Sequence, residues 1–372
     1  MIPYSRQSIS QEDIAEVVRV LKSSHLTQGD EVSLFEKAIC KYIGTAHAIT
    51  FNSATSALLA AYMACGIGED DEIITTPISF VATSNMFISL GAKPIWCDVK
   101  LDGNIDETKI ESLITNKTKA IVPVAFAGKP VEIEKILAIA NKYNLHVIED
   151  ASHAFGSSIN NQKVGTFTTS IFSFHAIKPL TTGEGGVITT NDKTLATKLQ
   201  LIRSHGIKKQ QHWNSDMLAI GYNFRLTEFA AALGRSQLGM LDNFIAKREE
   251  IARYYDERFA NNRFFTISKI DNHIISSRHL YIILLNKELH SYKEKIFDML
   301  HSNGIGVQVH YKPIYQNSFY KDRFGTTHLD VAEDFYNAEL SIPCHQMMSL
   351  ADAKYVGDTL IQILQMVKDE TI

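Results

Sequence analysis

Cysteine is scarce in this sequence, and the cysteines are not spaced as redox pairs or metal ligands. Among 372 residues there are four cysteines, with no C-x-x-C pair and no cysteine–histidine cluster at the spacing of zinc ligands. Buried thiols in a reducing compartment are the ordinary interpretation. Internal repeats and low-complexity linkers are also missing. We therefore expect neither a disulfide-stapled secreted domain, nor a metal site, nor a repeat array.

The sequence also lacks the positive charge that binding to nucleic acid requires and the long apolar runs that a membrane span requires. Its formal net charge is -4, without a basic run or a basic helix face, so nothing in it attracts nucleic acid. No stretch of about 20 apolar residues is present to span a bilayer, and the first residues contain no apolar core of a secretory signal. With 45% hydrophobic and 21% charged residues, the composition is typical of a globular enzyme. We expect it in the cytoplasm, without a membrane partner.

The first two thirds of the chain alternate β-rich runs with amphipathic helical segments such as Ile133–Tyr143. This alternation is typical of an α/β fold, in which helices cover both faces of a mostly parallel sheet. Seven runs are the strand candidates: His47–Phe51, Glu72–Thr76, Pro94–Val99, Ala120–Val124, His146–Glu149, Ile171–Phe174 and Gly186–Thr190.

The pattern changes after about residue 240. A long charged helix, Ala246–Phe259, leads into two further strand candidates, Leu280–Leu285 and Val307–Tyr311. We predict a large α/β domain in residues 1–240, including the N-terminal segment, and a smaller α+β domain in residues 241–372.

Residues that follow strand ends are the first place to look for function, because open α/β sheets bind ligands at the carboxyl ends of their strands. One such turn, Asn52–Ala57, carries small residues and hydroxyls at the start of an apolar helix. Free backbone N–H groups and the helix dipole there suit a phosphate. A plain N-cap by Ser53 or Thr55 would give the same pattern.

A carboxylate, Asp150, follows the candidate strand His146–Glu149. Such a group is costly at the end of a buried strand unless it meets a cation or several donors, and a protonated pyridine nitrogen is a suitable cation. The pairing would keep the ring cationic and make it an electron sink. His153 could stack on such a ring, or could be a core histidine satisfied by the backbone.

Lys178 lies between the strand candidate Ile171–Phe174 and the glycine-rich turn Thr181–Gly186. A lysine with a pKa lowered by desolvation or by nearby positive charge forms imines with aldehydes, and glycines let the backbone approach a flat cofactor. An exposed loop lysine is the alternative. A phosphate turn, a pyridine carboxylate and a Schiff-base lysine, all at strand ends of one sheet, together indicate one cofactor site.

Four longer motifs are present: Thr76–Thr83 (TPISFVAT), Glu149–Ala154 (EDASHA), Phe172–Lys178 (FSFHAIK) and Gly221–Glu228 (GYNFRLTE). The second contains Asp150 and His153, and the third ends at Lys178. With them the chain resembles, over nearly its whole length, the DegT-type sugar-nucleotide aminotransferases. These are fold type I enzymes that depend on pyridoxal 5'-phosphate (PLP). The resemblance implies an aspartate aminotransferase-like α/β fold: a large domain with a mostly parallel seven-stranded sheet, and a smaller C-terminal α+β domain.

The same resemblance implies a role for each cofactor contact. Lys178 would hold PLP as a Schiff base and shuttle protons, Asp150 would pair with the pyridine nitrogen, and His153 would stack on the ring. The further contacts would be Ala54, Thr55 and Ser173 at the phosphate, Phe80 near the ring, and Asn223 reaching the phosphate from the other subunit of a homodimer. Many relatives have glycine where this chain has Ala54, and alanine fits there if its φ is negative.

Within the family, stretches such as Asp102–Asp106 and Val309–Tyr315 most resemble the branch that acts in pseudaminic acid biosynthesis, on the route to flagellin glycosylation. This implies transfer of an amino group from L-glutamate to C4 of a UDP-linked 4-keto-6-deoxy-N-acetylhexosamine. His310, Lys312 and Tyr315 follow a strand candidate and are candidates for binding the pyrophosphate or the sugar. A domain-interface cluster without a ligand is the alternative.

Other functions compete with this one. A PLP-dependent sugar dehydratase of the same fold has histidine in place of the Schiff-base lysine, whereas position 178 is lysine. Non-catalytic regulators with this fold lose the lysine or the carboxylate, and both are present. A dinucleotide oxidoreductase would rest on Gly66-Ile67-Gly68, which follows a helix and lacks the third glycine. An aminotransferase for another nucleotide-linked 4-keto sugar stays open.

Overall fold

Short runs of β-branched and apolar residues form the strands, and the segments between them form helices, as the alternation predicts. The computed structural model describes residues 1–370. In this part of the chain the strands are β1 (His47–Phe51), β2 (Glu72–Thr75), β3 (Lys93–Trp96), β4 (Thr118–Val122), β5 (His146–Asp150), β6 (Ser158–Ile159), β7 (Gln162–Lys163), β8 (Thr169–Ser173), β9 (Gly186–Thr190), β10 (Ile207–Lys209), β11 (Ser215–Met217), β12 (Phe265–Ile267), β13 (Ile274–Ile275), β14 (Tyr281–Leu285) and β15 (Glu339–Ile342).

The α-helices of the same residues cover the sheets and connect the strands. They are α1 (Gln11–Leu21), α2 (Glu31–Ile43), α3 (Ala54–Ala64), α4 (Ala82–Ile88), α5 (Glu107–Ile110), α6 (Ile133–Tyr143), α7 (Lys193–Arg203), α8 (Glu228–Leu238), α9 (Leu241–Phe259), α10 (Lys293–Ser302), α11 (Ser318–Phe324), α12 (Asp330–Ala338) and α13 (Leu350–Asp369). None of the helices within residues 1–370 is both long enough and apolar enough to cross a membrane.

The large domain is built on a seven-stranded sheet in the order β1-β9-β8-β5-β4-β2-β3. Strand β9 runs antiparallel to β1 and β8, and the other neighbours are parallel. Successive residues face opposite sides: Ile171 packs into one core cluster and Phe172 into another. Because both faces are covered, β9 is buried throughout, as is typical of parallel-type sheets. The predicted mostly parallel seven-stranded sheet is confirmed.

The small domain has an antiparallel sheet in the order β12-β14-β15, packed with α9, α10 and α13 into a core of its own. The predicted strand Val307–Tyr311 is wrong. Only Gln308 makes a bridge, to Ser341, and the next available N–H, that of His310, bonds to the carboxylate of Glu339. A side chain thus replaces the next backbone partner and ends the pairing.

The predicted division at residue 240 falls next to the start of α9, which belongs to both cores. Leu241 and Ile245 pack in the large domain, and Ile251 onward packs in the small one. The first residues of the chain also lie against the small domain, since Ile2 forms a bridge with Ile305. The division of residues 1–240 from 241–372 stays a prediction.

Gly186, the first residue of β9, lets this strand approach the start of α3. A Cβ at this position would lie 2.6 Å from the Ala54 nitrogen and 2.7 Å from the Ser53 carbonyl carbon, which are backbone atoms that a rotamer change cannot move. We expect Gly186→Ala to lower the free energy of unfolding by about 1–3 kcal/mol, as overpacking does. Urea denaturation measures this. Gly68→Ala is the matched control, because no atom lies within 4 Å of its added Cβ; equal losses in the two variants would contradict the packing argument.

Candidate active site

A cavity of about 450 Å³ opens at the carboxyl ends of the large sheet and is closed on one side by the small domain. The ends of β1, β5 and β8 each supply polar side chains to it, which is why residues far apart in sequence meet there. Eight of the predicted site residues line this cavity: Ala54, Thr55, Phe80, Asp150, His153, Ser173, Lys178 and His310.

The start of α3 forms one end of the cavity. Ser53 is the N-cap: its hydroxyl accepts the N–H of Ser56, and the Ser53 N–H donates to the Ser56 hydroxyl. The N–H groups of Ala54 and Thr55 have no partner in residues 1–370. The two interpretations of this turn are therefore compatible, because Ser53 caps the helix and two N–H groups are left for an anion.

Asp150, the last residue of β5, is buried in the cavity wall. The Thr83 hydroxyl donates to one of its oxygens at 2.6 Å, and the hydroxyl and N–H of Ser152 donate to the other. These partners are neutral, and no ion pair within residues 1–370 balances the carboxylate. A carboxylate in this setting fits a cationic ligand in the cavity.

Lys178 projects into the same cavity from the turn after β8. Desolvation lowers its pKa from 10.5 to about 7; the negative charge of Asp150 opposes this shift and the positive charge of Arg248 adds to it. Its Nζ lies 3.3 Å from Nε2 of His279. Near neutral pH a substantial share of the side chain is therefore a free amine, which is the nucleophilic and basic form.

His153 is buried and held in one tautomer. Its Nδ1 accepts the Ala127 N–H at 3.3 Å, so the proton is on Nε2, which lies 3.3 Å from the Tyr311 hydroxyl. Burial lowers its pKa well below the ordinary value, with a further contribution from Lys178, so the ring is neutral. His279 lies beside it, with ring centroids 4.4 Å apart, and is kept neutral by the same causes.

Three predicted site residues do not line the cavity. Asn223 is exposed and lies outside it, so its contact with a second subunit stays a prediction. Lys312 points to solvent. Tyr315 is buried beside Trp96 in the large-domain core, and its hydroxyl donates to Glu333. The ring of Tyr315 lies in the core and not in the cavity wall, and its role as a substrate contact stays a prediction.

Thr83, His279 and Tyr311 are among the cavity residues that were not assigned a role from sequence. Thr83 stands in the TPISFVAT motif and Tyr311 follows His310, so each had a motif signal. His279 had none. It precedes β14 as a single histidine, and only the docking of the small domain brings it to Lys178.

The structure is similar to solved structures of sugar aminotransferases. The chain superimposes on Helicobacter pylori PseC, an aminotransferase involved in the biosynthesis of pseudoaminic acid, with a TM-score of 0.95 and 46% identity over 98% of this chain and 99% of that one. It superimposes almost as closely on the PLP form of Spr1654 from Streptococcus pneumoniae, a putative sugar aminotransferase, with a TM-score of 0.94 and 28% identity over 98% of this chain and 99% of that one. The fold is that of the fold type I transferases.

The family follows from the sequence match. The model of the DegT/DnrJ/EryC1/StrS aminotransferase family matches residues 7–361, and the chain belongs to this family. A similar curated protein is the UDP-4-amino-4,6-dideoxy-N-acetyl-beta-L-altrosamine transaminase of Campylobacter jejuni (strain 81-176), which is 52% identical over 99% of both chains. The predicted family is confirmed.

The lowered pKa of Lys178 gives a pH prediction. The amine reacts with an aldehyde only when unprotonated, so the rate at which apoprotein combines with PLP should rise with pH through about 7 and then level off. Stopped-flow absorbance in the visible range measures the rate, with Lys178→Ala as the blank. A midpoint near the ordinary lysine value of 10.5 would contradict the assigned environment.

Proposed function

We propose that this chain is a PLP-dependent aminotransferase that moves an amino group from L-glutamate to C4 of a UDP-linked 4-keto-6-deoxy-N-acetylhexosamine. The product is UDP-4-amino-4,6-dideoxy-N-acetyl-β-L-altrosamine, for pseudaminic acid biosynthesis. One observation carries the reaction type: a lysine with a pKa near 7 and a buried carboxylate without a cation face the same cavity. The substrate rests on the full-length similarity to the Campylobacter transaminase.

The cavity residues fit PLP by their chemistry. The free N–H groups at the start of α3, with the hydroxyls of Thr55 and Ser173, suit the phosphate. Asp150 suits the protonated ring nitrogen, and neutral His153 offers a flat face to the ring. Phe80 lies near the cavity mouth, more than half exposed. Lys178 would be the amine that holds the aldehyde carbon.

When bound, the cofactor supplies an electron sink for the charge that develops as a C–H bond of the amino acid is broken. Lys178 removes that proton and returns it elsewhere, and a pKa near 7 lets it accept and release protons at neutral pH. Asp150, which accepts hydrogen bonds from Thr83 and Ser152, would hold the protonated ring nitrogen. The buried, neutral histidines do not compete for the proton in this pH range.

The functional unit we propose is a homodimer. The hairpin β10–β11 and the residues after it expose several large apolar side chains, with Trp213 84% and Ile220 70% accessible. Such a patch on an isolated chain is typical of an interface. Asn223 lies directly after this patch and is exposed, and the family resemblance implies that it reaches the cofactor phosphate of the partner subunit. The four free cysteines also fit a reducing compartment, the cytoplasm.

The activity test uses the purified holoprotein with L-glutamate and a panel of UDP- and dTDP-linked 4-keto sugars. Wild type should show a visible absorbance band from the lysine-bound cofactor, which glutamate shifts. Turnover should be fastest with the UDP-linked N-acetyl sugar, and faster turnover of another member would move the assignment to that sugar. Lys178→Ala should lose the band and at least about 10²–10⁴-fold in rate, the contribution of a positioned acid–base group. A Lys178→Ala enzyme that turned over normally would overturn the proposed reaction.

The shared site is tested by mixing two inactive variants. Lys178→Ala and Asn223→Ala homodimers should each be nearly inactive. Random mixed dimers place one intact site on half of the dimers, so co-expression should restore about a quarter of wild-type activity. Coupled turnover assays on the purified mixture measure this. If the mixture is no more active than the two parents, Asn223 does not act across subunits.

A further inference from the structure

The small-domain wall of the cavity contains a buried chain of hydrogen bonds that ends at His310. Its Nδ1 lies 2.8 Å from the Ser341 hydroxyl, and that hydroxyl lies 2.6 Å from Oε1 of Glu339. The other carboxylate oxygen of Glu339 accepts the His310 N–H at 2.7 Å. Glu339 and Ser341 are almost fully buried. We call these three residues the His310 relay.

The local fold explains why they meet. Glu339 and Ser341 are alternate residues of β15, so their side chains leave the strand on the same face. The single backbone bridge between Gln308 and Ser341 brings the segment of His310 beside that face. Burial raises the pKa of Glu339 to about 7, and hydrogen bonds from Ser341 and the His310 N–H, together with the charge of Lys293 from α10, oppose this rise. The carboxylate is therefore mainly ionised above pH 7.

The number of protons available determines which group donates in each hydrogen bond of the His310 relay. A hydroxyl has one proton, and an ionised carboxylate can only accept. With Glu339 ionised, Ser341 donates to Glu339, and the Ser341 oxygen must accept from His310. Nδ1 of His310 then carries the proton, and Nε2 carries the lone pair. Burial lowers the pKa of His310 to about 3, so no second proton resides on the ring at neutral pH.

Nε2 is the atom of this ring that is free to bind a ligand. It has no hydrogen-bond partner within residues 1–370. It is also absent from the set of fully buried polar atoms of these residues that lack a partner, so it is accessible from the cavity. The ring belongs to the cavity wall, between Tyr4 and Tyr311. A lone pair there repels a phosphate oxygen and attracts an O–H or N–H group.

We propose that Glu339 is a positioning residue that acts through Ser341 to present unprotonated Nε2 of His310 to the cavity, where it accepts a hydrogen bond from a hydroxyl or the acetamido N–H of the acceptor sugar. This rests on the proposed function for the identity of the ligand. Sequence analysis left the sugar and the pyrophosphate as possible ligands of His310. Under this proposal His310 binds the sugar and not the pyrophosphate.

Glu339→Gln is the sharpest test, because it keeps the shape and reverses the relay. The His310 N–H requires an acceptor, so the amide oxygen of the glutamine takes that side and its NH₂ faces Ser341. Ser341 must then donate to Nδ1 of His310, and Nε2 becomes a donor. We expect the KM for the keto sugar to rise about tenfold, the loss of roughly one hydrogen bond, while the half-reaction with L-glutamate is unchanged.

Glu288→Gln is the matched control, since it removes an exposed carboxylate from the same domain. It should leave both half-reactions as in wild type. Equal losses in both half-reactions of Glu339→Gln would indicate a merely structural role and overturn the proposal. So would an unchanged KM for the sugar.

A spectroscopic measurement decides the relay even if Glu339→Gln fails to fold. In holoenzyme with ¹⁵N-labelled histidine, the imidazole nitrogen shifts distinguish protonated from unprotonated atoms, and His310→Gln identifies the signal. Above pH 7, where Glu339 is mainly ionised, we expect wild type to carry the proton on Nδ1, and a proton on Nε2 would overturn the proposal. If wild type uses no keto sugar at all, the proposed function fails, whereas the spectrum still tests the relay.

Discussion

The site depends on one buried negative charge. Asp150 is at the end of a central strand, where the helices on both faces exclude water, and its protein partners are neutral hydroxyl and N–H donors. A carboxylate in this position costs several kcal/mol unless a cation meets it. Thr83 and Ser152 lower that cost without cancelling the charge. The remaining attraction is directed into the cavity, so a cationic ring nitrogen binds there with a partner already in place.

A second buried charge holds the segment that contains the cavity residue His279. Arg248 of α9 is fully buried, and one of its nitrogens donates to the carbonyls of Arg278, His279 and Cys344. These bonds connect three segments of the chain beside Lys178. The charge of Arg248 also lowers the pKa of Lys178, after desolvation and against the attraction of Asp150. The same side chain therefore holds the backbone of His279 and helps to keep the lysine reactive.

The sequence predicted those parts of the site that are local to a strand end. Asp150 and Lys178 could be found because each follows a β-rich run, and parallel strands bring their carboxyl ends together. Ser173 was predicted only through the family resemblance. His279 and the burial of Tyr315 could not, because both depend on how the small domain docks on the large one. The strand predicted at Val307–Tyr311 failed for a related reason. Its apolar pattern is real, but the side chain of Glu339 occupies the place of a backbone partner.

The protonation states across the cavity form one consistent set. His153, His279 and His310 are buried, and burial together with the nearby positive charge of Lys178 lowers the pKa of each. The three rings are therefore neutral while Lys178 titrates. Hydrogen bonds also determine the tautomers of His153 and, with Glu339 ionised, His310. Fixed neutral rings can orient a ligand without exchanging protons with it. Lys178 is then the group that carries the proton, as a reaction with several proton transfers at neighbouring atoms requires.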